Sequence, residues 1–143
     1  MIPLQQELQL LETYLSLEQL RFSFTYALHV DDSINSSSLE IPSLLLQPVI
    51  ENAIKHAAGP LGEEGKIGIT LRSVHHDLLI SVTDNGPGFD TNTIKGEGHG
   101  MRLTTERILL LNQLINPRHI HLEVKSTKSG TDVHLNFRNW LQV

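Results

Sequence analysis

The chain contains no cysteine among its 143 residues, which excludes disulfides, thiolate nucleophiles and cysteine metal sites and fits a reducing compartment. Positive charge is also scarce. Eleven Lys and Arg face sixteen Asp and Glu, for a net charge of −5, and the basic residues are scattered rather than clustered. A nucleic-acid partner is therefore not expected, because phosphate backbones are bound by grouped cations. Long apolar runs are missing as well: the longest, Leu44–Ile50, is interrupted by Gln47 and Pro48 and falls far short of the roughly 20 residues that span a bilayer. The start, MIPLQQELQ, has neither the basic opening nor the apolar block of a signal peptide. These absences predict a cytoplasmic chain without a membrane segment of its own, whatever anchors a longer parent. What remains, 39% hydrophobic and 19% charged residues, suits one compact domain over 1–143 that buries a core unaided.

Periodicity supplies the elements. Leu4, Leu8, Leu11 and Leu15 form a helical stripe, with Pro3 where a first turn tolerates it. Phe22, Phe24, Tyr26, Leu28 and Val30 alternate with Ser23, Thr25, Ala27 and His29 and predict a half-buried strand. A second helix is expected from about Ser43 to Ala57, with Leu46, Ile50, Ala53, Ile54 and Ala57 on one side and Glu51, Asn52, Lys55 and His56 on the other. Pro48 must lie near its start or kink it, and the AGPLGEEG segment breaks the chain after it. Strands follow near Lys66–Val74 and Leu78–Thr83, with a turn at His75–Asp77. From Asp84 to Gly100 five glycines replace apolar periodicity. A third helix, Met101–Ile115, ends at Asn116-Pro117, and the leucines of its ILLLNQLI stretch read as core. A last hairpin pairs Ile120–Val124 with Val133–Phe137 about a turn at Lys128–Gly130. Short connections imply mostly antiparallel pairing, and three amphipathic helices need one sheet face to cover. The fold class expected is a two-layer α/β sandwich with a mixed, mostly antiparallel sheet.

Three places carry chemistry. On the polar helix face, the amide oxygen of Asn52 is a suitable ligand for a hard cation such as Mg2+, and Lys55 can neutralise phosphate oxygens; the competing reading of Glu51, Asn52, Lys55 and His56 is a solvated face. In DNGPGF, Asp84–Phe89, Gly86 and Gly88 permit close backbone approach to a ligand, and Asp84 can accept from an exocyclic amine, which favours adenine over guanine. The competing reading there is an ordinary strand-end turn. In GEGHGM, Gly96, Gly98 and Gly100 lead into a helix whose free N–H groups suit phosphate. Neither a dinucleotide fingerprint in an early βαβ unit nor a Walker loop is present.

In this order the segments resemble the GHKL ATP-binding superfamily of gyrase B, heat-shock protein 90, MutL and sensor histidine kinases, and within it the LytS-like kinases. LLLQPVIENAIKHA (Leu44–Ala57) is similar to that branch's N box, DNGPGF and GEGHGMRLTTERI (Gly96–Ile108) to its glycine boxes, SGTDVHLNF (Ser129–Phe137) to its closing Gly-Thr strand, and ETYLSLEQLRF (Glu12–Phe22) to its lead-in. The resemblance implies the Bergerat sandwich and an ATP site. Asn52 would ligate Mg2+ with Lys55 nearby, and Glu51 would serve as base or orienter. Asp84 would bind the adenine amine with support from Thr131, directly or through water, and Gly86 and Gly88 would shape the pocket. Residues from about Asp90 to Gly100 would form a lid, with Gly96, Gly98 and Gly100 toward the phosphates. The branch usually carries asparagine where Leu103 stands and an aliphatic residue where His99 stands, so phosphate contacts differ here.

The same resemblance implies a phosphoacceptor histidine on an upstream helix and, beyond it, a response regulator. None of the eight histidines looks like that acceptor; they sit in strands, turns or the boxes themselves. The chain therefore reads as a catalytic domain whose acceptor lies on another segment, with residues 1–21 leading in from it. His119 and His121 share one side of a strand, but without a third ligand they read as structural rather than as a zinc site. Two other functions compete: a degenerate module working through nucleotide or protein contacts without catalysis, and a serine kinase of the anti-sigma-factor type.

Overall fold

The computed structural model describes residues 1–87 and 98–141. Its helices are α1 (Leu4–Phe22), α2 (Gln47–Leu61) and α3 (Gly98–Ile115), with a 3-10 turn at Gly62–Glu64. Its strands are β1 (Ile2–Pro3), β2 (Thr25–Val30), β3 (Glu40–Ile41), β4 (Lys66–Val74), β5 (Asp77–Asp84), β6 (His119–Thr127) and β7 (Gly130–Arg138). Five strands form one sheet in the order β2-β4-β5-β7-β6, while β1 and β3 make a separate two-stranded pair. Tight turns join β4 to β5 and β6 to β7, so those pairs are antiparallel, as is β5 with β7. β2 alone runs parallel to its neighbour, β4; α2 lies in the crossover that a parallel pair requires. The structure is thus the α/β sandwich expected, with three helices on a mixed sheet.

The register of the sheet shows where the core stops. Across β4, β5, β7 and β6 the rows Leu71–Ile80–Leu135–Leu122 and Ile69–Val82–Val133–Val124 are apolar throughout. The next row, Ile67–Asp84–Thr131–Ser126, is polar in three of its four positions. All these side chains face the helices; Arg72, Thr83, Lys125 and Asp132 on the other face are exposed. α2 packs on β4, β5 and β7 through Val49, Ile50, Ala53, Ile54, Ala57 and Ala58, all buried. Burying each of the larger three contributes about 1.5–3 kcal/mol, which fixes the rotation of α2 and therefore the direction of every polar residue on it.

Several boundaries differ from the sequence expectation. The alternation from Phe22 to Val30 is not all strand: Phe22 belongs to the last turn of α1, and Ser23, at φ 61°, donates its N–H to Gln19 O and ends the helix. Phe24 then lies fully buried in the connection, and β2 begins at Thr25. α2 starts four residues later than expected and runs on to Leu61. Its start is set by Leu44, whose φ of 61° is incompatible with a helix and whose carbonyl accepts from Arg107 Nη1 of α3 at 2.8 Å. Pro48 sits in the first turn, and Pro60 is tolerated in the last. The leucines of ILLLNQLI are largely not core: Leu109, Leu110 and Leu114 are 60–82% exposed. Met101, Thr104 and Ile108, with Leu111 and Ile115 partly buried, already fill the one face of α3 that meets the protein.

Candidate functional site

Asp84 is the last residue of β5, and Thr131, its register partner, is the second of β7. Both point to the helix side, with 8% and 1% exposure. The Asp84 carboxylate accepts the Gly86 N–H at Oδ1, 2.9 Å away, and lies within reach of the Thr131 N–H. Burial nevertheless dominates and raises its pKa from 3.8 to about 6; the two N–H groups oppose the shift and the charge of Asp132 adds to it. A buried carboxylate at the end of an apolar sheet, with no cationic side chain among the described residues acting on it, is costly unless a ligand donates to it.

The loop leaving Asp84 is pressed onto α2. A Cβ on Gly86 would lie 2.2 Å from His56 O and 2.7 Å from His56 C, so no other residue fits there without moving the helix or the loop. Pro60, four residues beyond His56, has no N–H to give that carbonyl, and it is against this carbonyl that Gly86 lies. Asn85 anchors the same loop from the other side: its Oδ1 accepts the Lys66 N–H at 2.7 Å and its Nδ2 donates to Glu64 O at 2.9 Å. Gly130 closes the floor. At φ 153°, it leaves a gap in which a Cβ would stand 2.2 Å from Asp84 O.

The polar face of α2 is divided rather than uniformly solvated. Asn52 and His56 are 8% and 7% exposed, whereas Glu51 and Lys55 are exposed. Asn52 lies one turn before His56 and hence one turn from the Gly86 contact. Glu51 accepts from Gln47 Nε2 at 3.2 Å; burial raises the pKa of Tyr14 on α1 and the Glu51 charge adds to that shift, so Glu51 faces toward the lead-in helix. Gly98 and Gly100 are in the first turn of α3, where free N–H groups occur. Gly88, Gly96 and most of the expected lid lie outside the described residues. Leu103 is 55% exposed. His119 and His121 are both exposed on β6, away from this site. The structure therefore brings together Asp84, Gly86 and Thr131, and Asn52 lies buried on the helix that Gly86 meets.

Sequence reasoning passed over Asn85 and Gly130. The Asn-Gly dipeptide reads as a turn, and only the structure shows that both ends of the amide are used. The glycine of Ser-Gly-Thr reads as a hairpin turn residue, although its second task is to admit the Asp84 carbonyl.

An amide and a carboxylate buried beside a glycine-lined loop fit a base and a hard cation, oxygen ligands being what Mg2+ prefers. The profile for histidine kinase-, DNA gyrase B- and HSP90-like ATPases matches residues 40–140. The sensor protein LytS of Enterococcus faecalis is 29% identical over 94% of this chain. The sensor histidine kinase YpdA of Escherichia coli K12 is 34% identical over 92%. The chain spans about a quarter of the length of these two relatives, 26% and 24%. Among solved structures, the histidine kinase domain of a blue-light activated kinase from Erythrobacter litoralis superimposes with a TM-score of 0.72 at 19% identity, covering 98% of this chain and 66% of that one. With the family profile matching residues 40–140, well over half of the chain, the chain belongs to the histidine kinase-, DNA gyrase B- and HSP90-like ATPase family.

Proposed function

We propose that the chain binds Mg-ATP and presents its γ-phosphoryl group to a histidine on a separate helix, as the catalytic part of a sensor histidine kinase. The observation that carries the reading is the buried Asp84 carboxylate, placed at the end of the apolar sheet beside a glycine that cannot be replaced without a clash. Asp84 accepts from the adenine amine, and Thr131 supports the ring. Gly86 and Gly88 let the backbone approach the base. Asn52 holds the cation, which when bound neutralises charge on the phosphates. The helix start at Gly98 and Gly100, with Gly96 before it, offers N–H groups to phosphate oxygens. Lys55 and Glu51, exposed on the same helix, assist with charge and orientation.

A neutral imidazole already has the lone pair that attacks phosphorus. Placement of the acceptor in line with the leaving oxygen therefore matters more than a strong base. The acceptor helix and, downstream, a response regulator are the protein partners of this reading, which places the chain in the cytoplasm.

The test is calorimetric titration of the chain with ATP, with and without Mg2+, with GTP as control. Saturable ATP binding strengthened by magnesium, with GTP rejected, is expected, followed by phosphotransfer to an added acceptor helix. A folded sample that binds no nucleotide would remove the reading. It would favour a non-catalytic protein-contact module, for which the exposed Leu103, Leu110 and Leu114 on α3 and Leu10, Leu17 and Leu20 on α1 are the supporting observation.

A further inference from the structure

The polar row that ends the core extends one strand beyond the residues so far assigned a role. Ser126 of β6 stands opposite Thr131 in register, and the two hydroxyl oxygens are 2.8 Å apart. Along β6 the helix-facing positions run Ile120, Leu122, Val124 and then Ser126. A further valine or isoleucine would continue that stripe, as a branched side chain suits a half-buried strand position. Instead β5, β7 and β6 all change from apolar to polar at one level, at Asp84, Thr131 and Ser126.

Hydroxyl groups have one proton each, and the direction of a hydroxyl pair decides what it can offer a ligand. Adenine presents an amine beside an unprotonated ring nitrogen. Asp84, an acceptor, serves the amine, and the neighbouring group must then donate to the nitrogen. Within the hydroxyl pair one oxygen donates to the other, so Thr131 keeps its proton for the nitrogen only when Ser126 is the donor of the pair. A purine with a carbonyl and a protonated ring nitrogen, such as hypoxanthine or guanine, meets an acceptor and a donor in the wrong order at both positions.

We propose that Ser126 is a positioning residue for base selection: its hydroxyl donates to Thr131 Oγ1 and so aims the Thr131 proton at the ring nitrogen of adenine, directly or through one water. This rests on the reading of Asp84 and Thr131 as the adenine site. A single neutral hydrogen bond is worth about 2- to 10-fold in affinity.

The experiment is titration of the whole chain with ATP and with inosine triphosphate, for the wild type and for Ser126→Ala, Ser126→Thr, Thr131→Ala and the Ser126→Ala/Thr131→Ala pair, with melting temperatures recorded alongside. Ser126→Ala should weaken ATP by about 2- to 10-fold and leave inosine triphosphate unchanged or tighter, so that the ratio between them falls. Ser126→Thr, which keeps the hydroxyl, should restore the ratio, and the double variant should be no worse than Thr131→Ala. Equal losses for both nucleotides, or no loss, in a variant that melts as the wild type does would overturn the inference and leave Ser126 a structural partner. If Ser126→Ala fails to fold, Ser126→Cys, whose thiol is only a weak donor, takes its place: a ratio equal to that of the wild type in this variant, or a loss additive with that of Thr131→Ala, would do the same. Failure of the underlying site reading looks different: Asp84→Ala would then bind ATP as tightly as the wild type.

Discussion

Replacing Asp84 by asparagine should abolish ATP binding and, at the same time, stabilise the empty chain at neutral pH. The carboxyl has its pKa raised from 3.8 to about 6 in the folded state, mainly by burial. A raised acid pKa means that the native state holds the proton more tightly than the unfolded chain does. Stability is therefore full below about pH 3.8 and is lost as the pH rises to about 6, and above that the charged carboxylate is a fixed penalty. The shift corresponds to about 3 kcal/mol, of which about 2 kcal/mol accrues between roughly pH 4.5 and 7.5. Asparagine carries no charge and can still accept the Gly86 N–H, but its own N–H2 then wants an acceptor, which reduces the gain to about 1–2 kcal/mol. Urea denaturation of both proteins at the two pH values measures the effect, with the wild type minus variant difference isolating Asp84 from the other carboxylates. The variant should be the more stable at pH 7.5 and nearly matched at pH 4.5. Saturating ATP should then reverse the order at pH 7.5, because only the wild type gains binding energy. A difference that does not change between the two pH values, or a wild type more stable at pH 7.5 without nucleotide, would refute the argument that this carboxylate is held at a cost for a ligand.

Gly86→Ala should weaken ATP by more than about tenfold and cost about 1–3 kcal/mol, since the new methyl meets the His56 carbonyl backbone rather than a movable side chain; calorimetry and thermal melts read both. Asn52→Ala should reduce magnesium-dependent ATP binding far more than binding in the presence of a chelator, and equal losses would count against its role as the cation ligand. Glu7 is buried on α1 with its pKa raised by desolvation, the Leu44 N–H opposing. Glu7→Gln keeps an acceptor for that N–H and removes the charge, so stability should rise at pH 7.5 and the gain should fade as the pH falls into the ordinary carboxylate range, again by urea denaturation. Asn85→Ala, which removes both the bond from Lys66 N–H and the bond to Glu64 O, should lower stability by about 1–3 kcal/mol and weaken ATP; an unchanged ATP affinity would separate the loop's anchoring from the site.

What could be read from the sequence was whatever repeats along one element. The alternation of Ile67, Ile69 and Leu71 and of Leu78, Ile80 and Val82 gives β4 and β5 to within a residue, and the stripe of Leu4, Leu11 and Leu15 gives the buried side of α1. Boundaries were lost where one residue takes a conformation its type does not announce. Ser23 and Leu44 both sit at positive φ, so a strand pattern ran backward into α1 and a helix pattern ran backward into the segment before α2. Rotation on α2 was lost for another reason. A helical projection separates apolar from polar, but it cannot tell a polar residue facing water from one facing a site, and Asn52 and His56 are buried while Glu51 and Lys55 are not.

Contacts between distant segments were not legible at all. That Gly86 must lack a side chain because of His56, and Gly130 because of Asp84, depends on how β5, β7 and α2 are brought together, which no local pattern encodes. The same holds for the polar row. Asp84, Thr131 and Ser126 each look like an ordinary interruption of an apolar stripe, and only the register of three strands shows that the interruptions fall on one line. Three unrelated interruptions at the same level would each leave a polar group at the edge of an apolar core, where an unpaired group costs about 1–3 kcal/mol. Placed together they are paired in part: the Ser126 and Thr131 hydroxyl oxygens lie 2.8 Å apart, and the Asp84 carboxylate accepts the N–H of Gly86, the residue that meets α2. On the proposed reading, a base with a matching amine and ring nitrogen completes the row, so that selectivity for adenine and the cost in stability of the empty site would have the same origin.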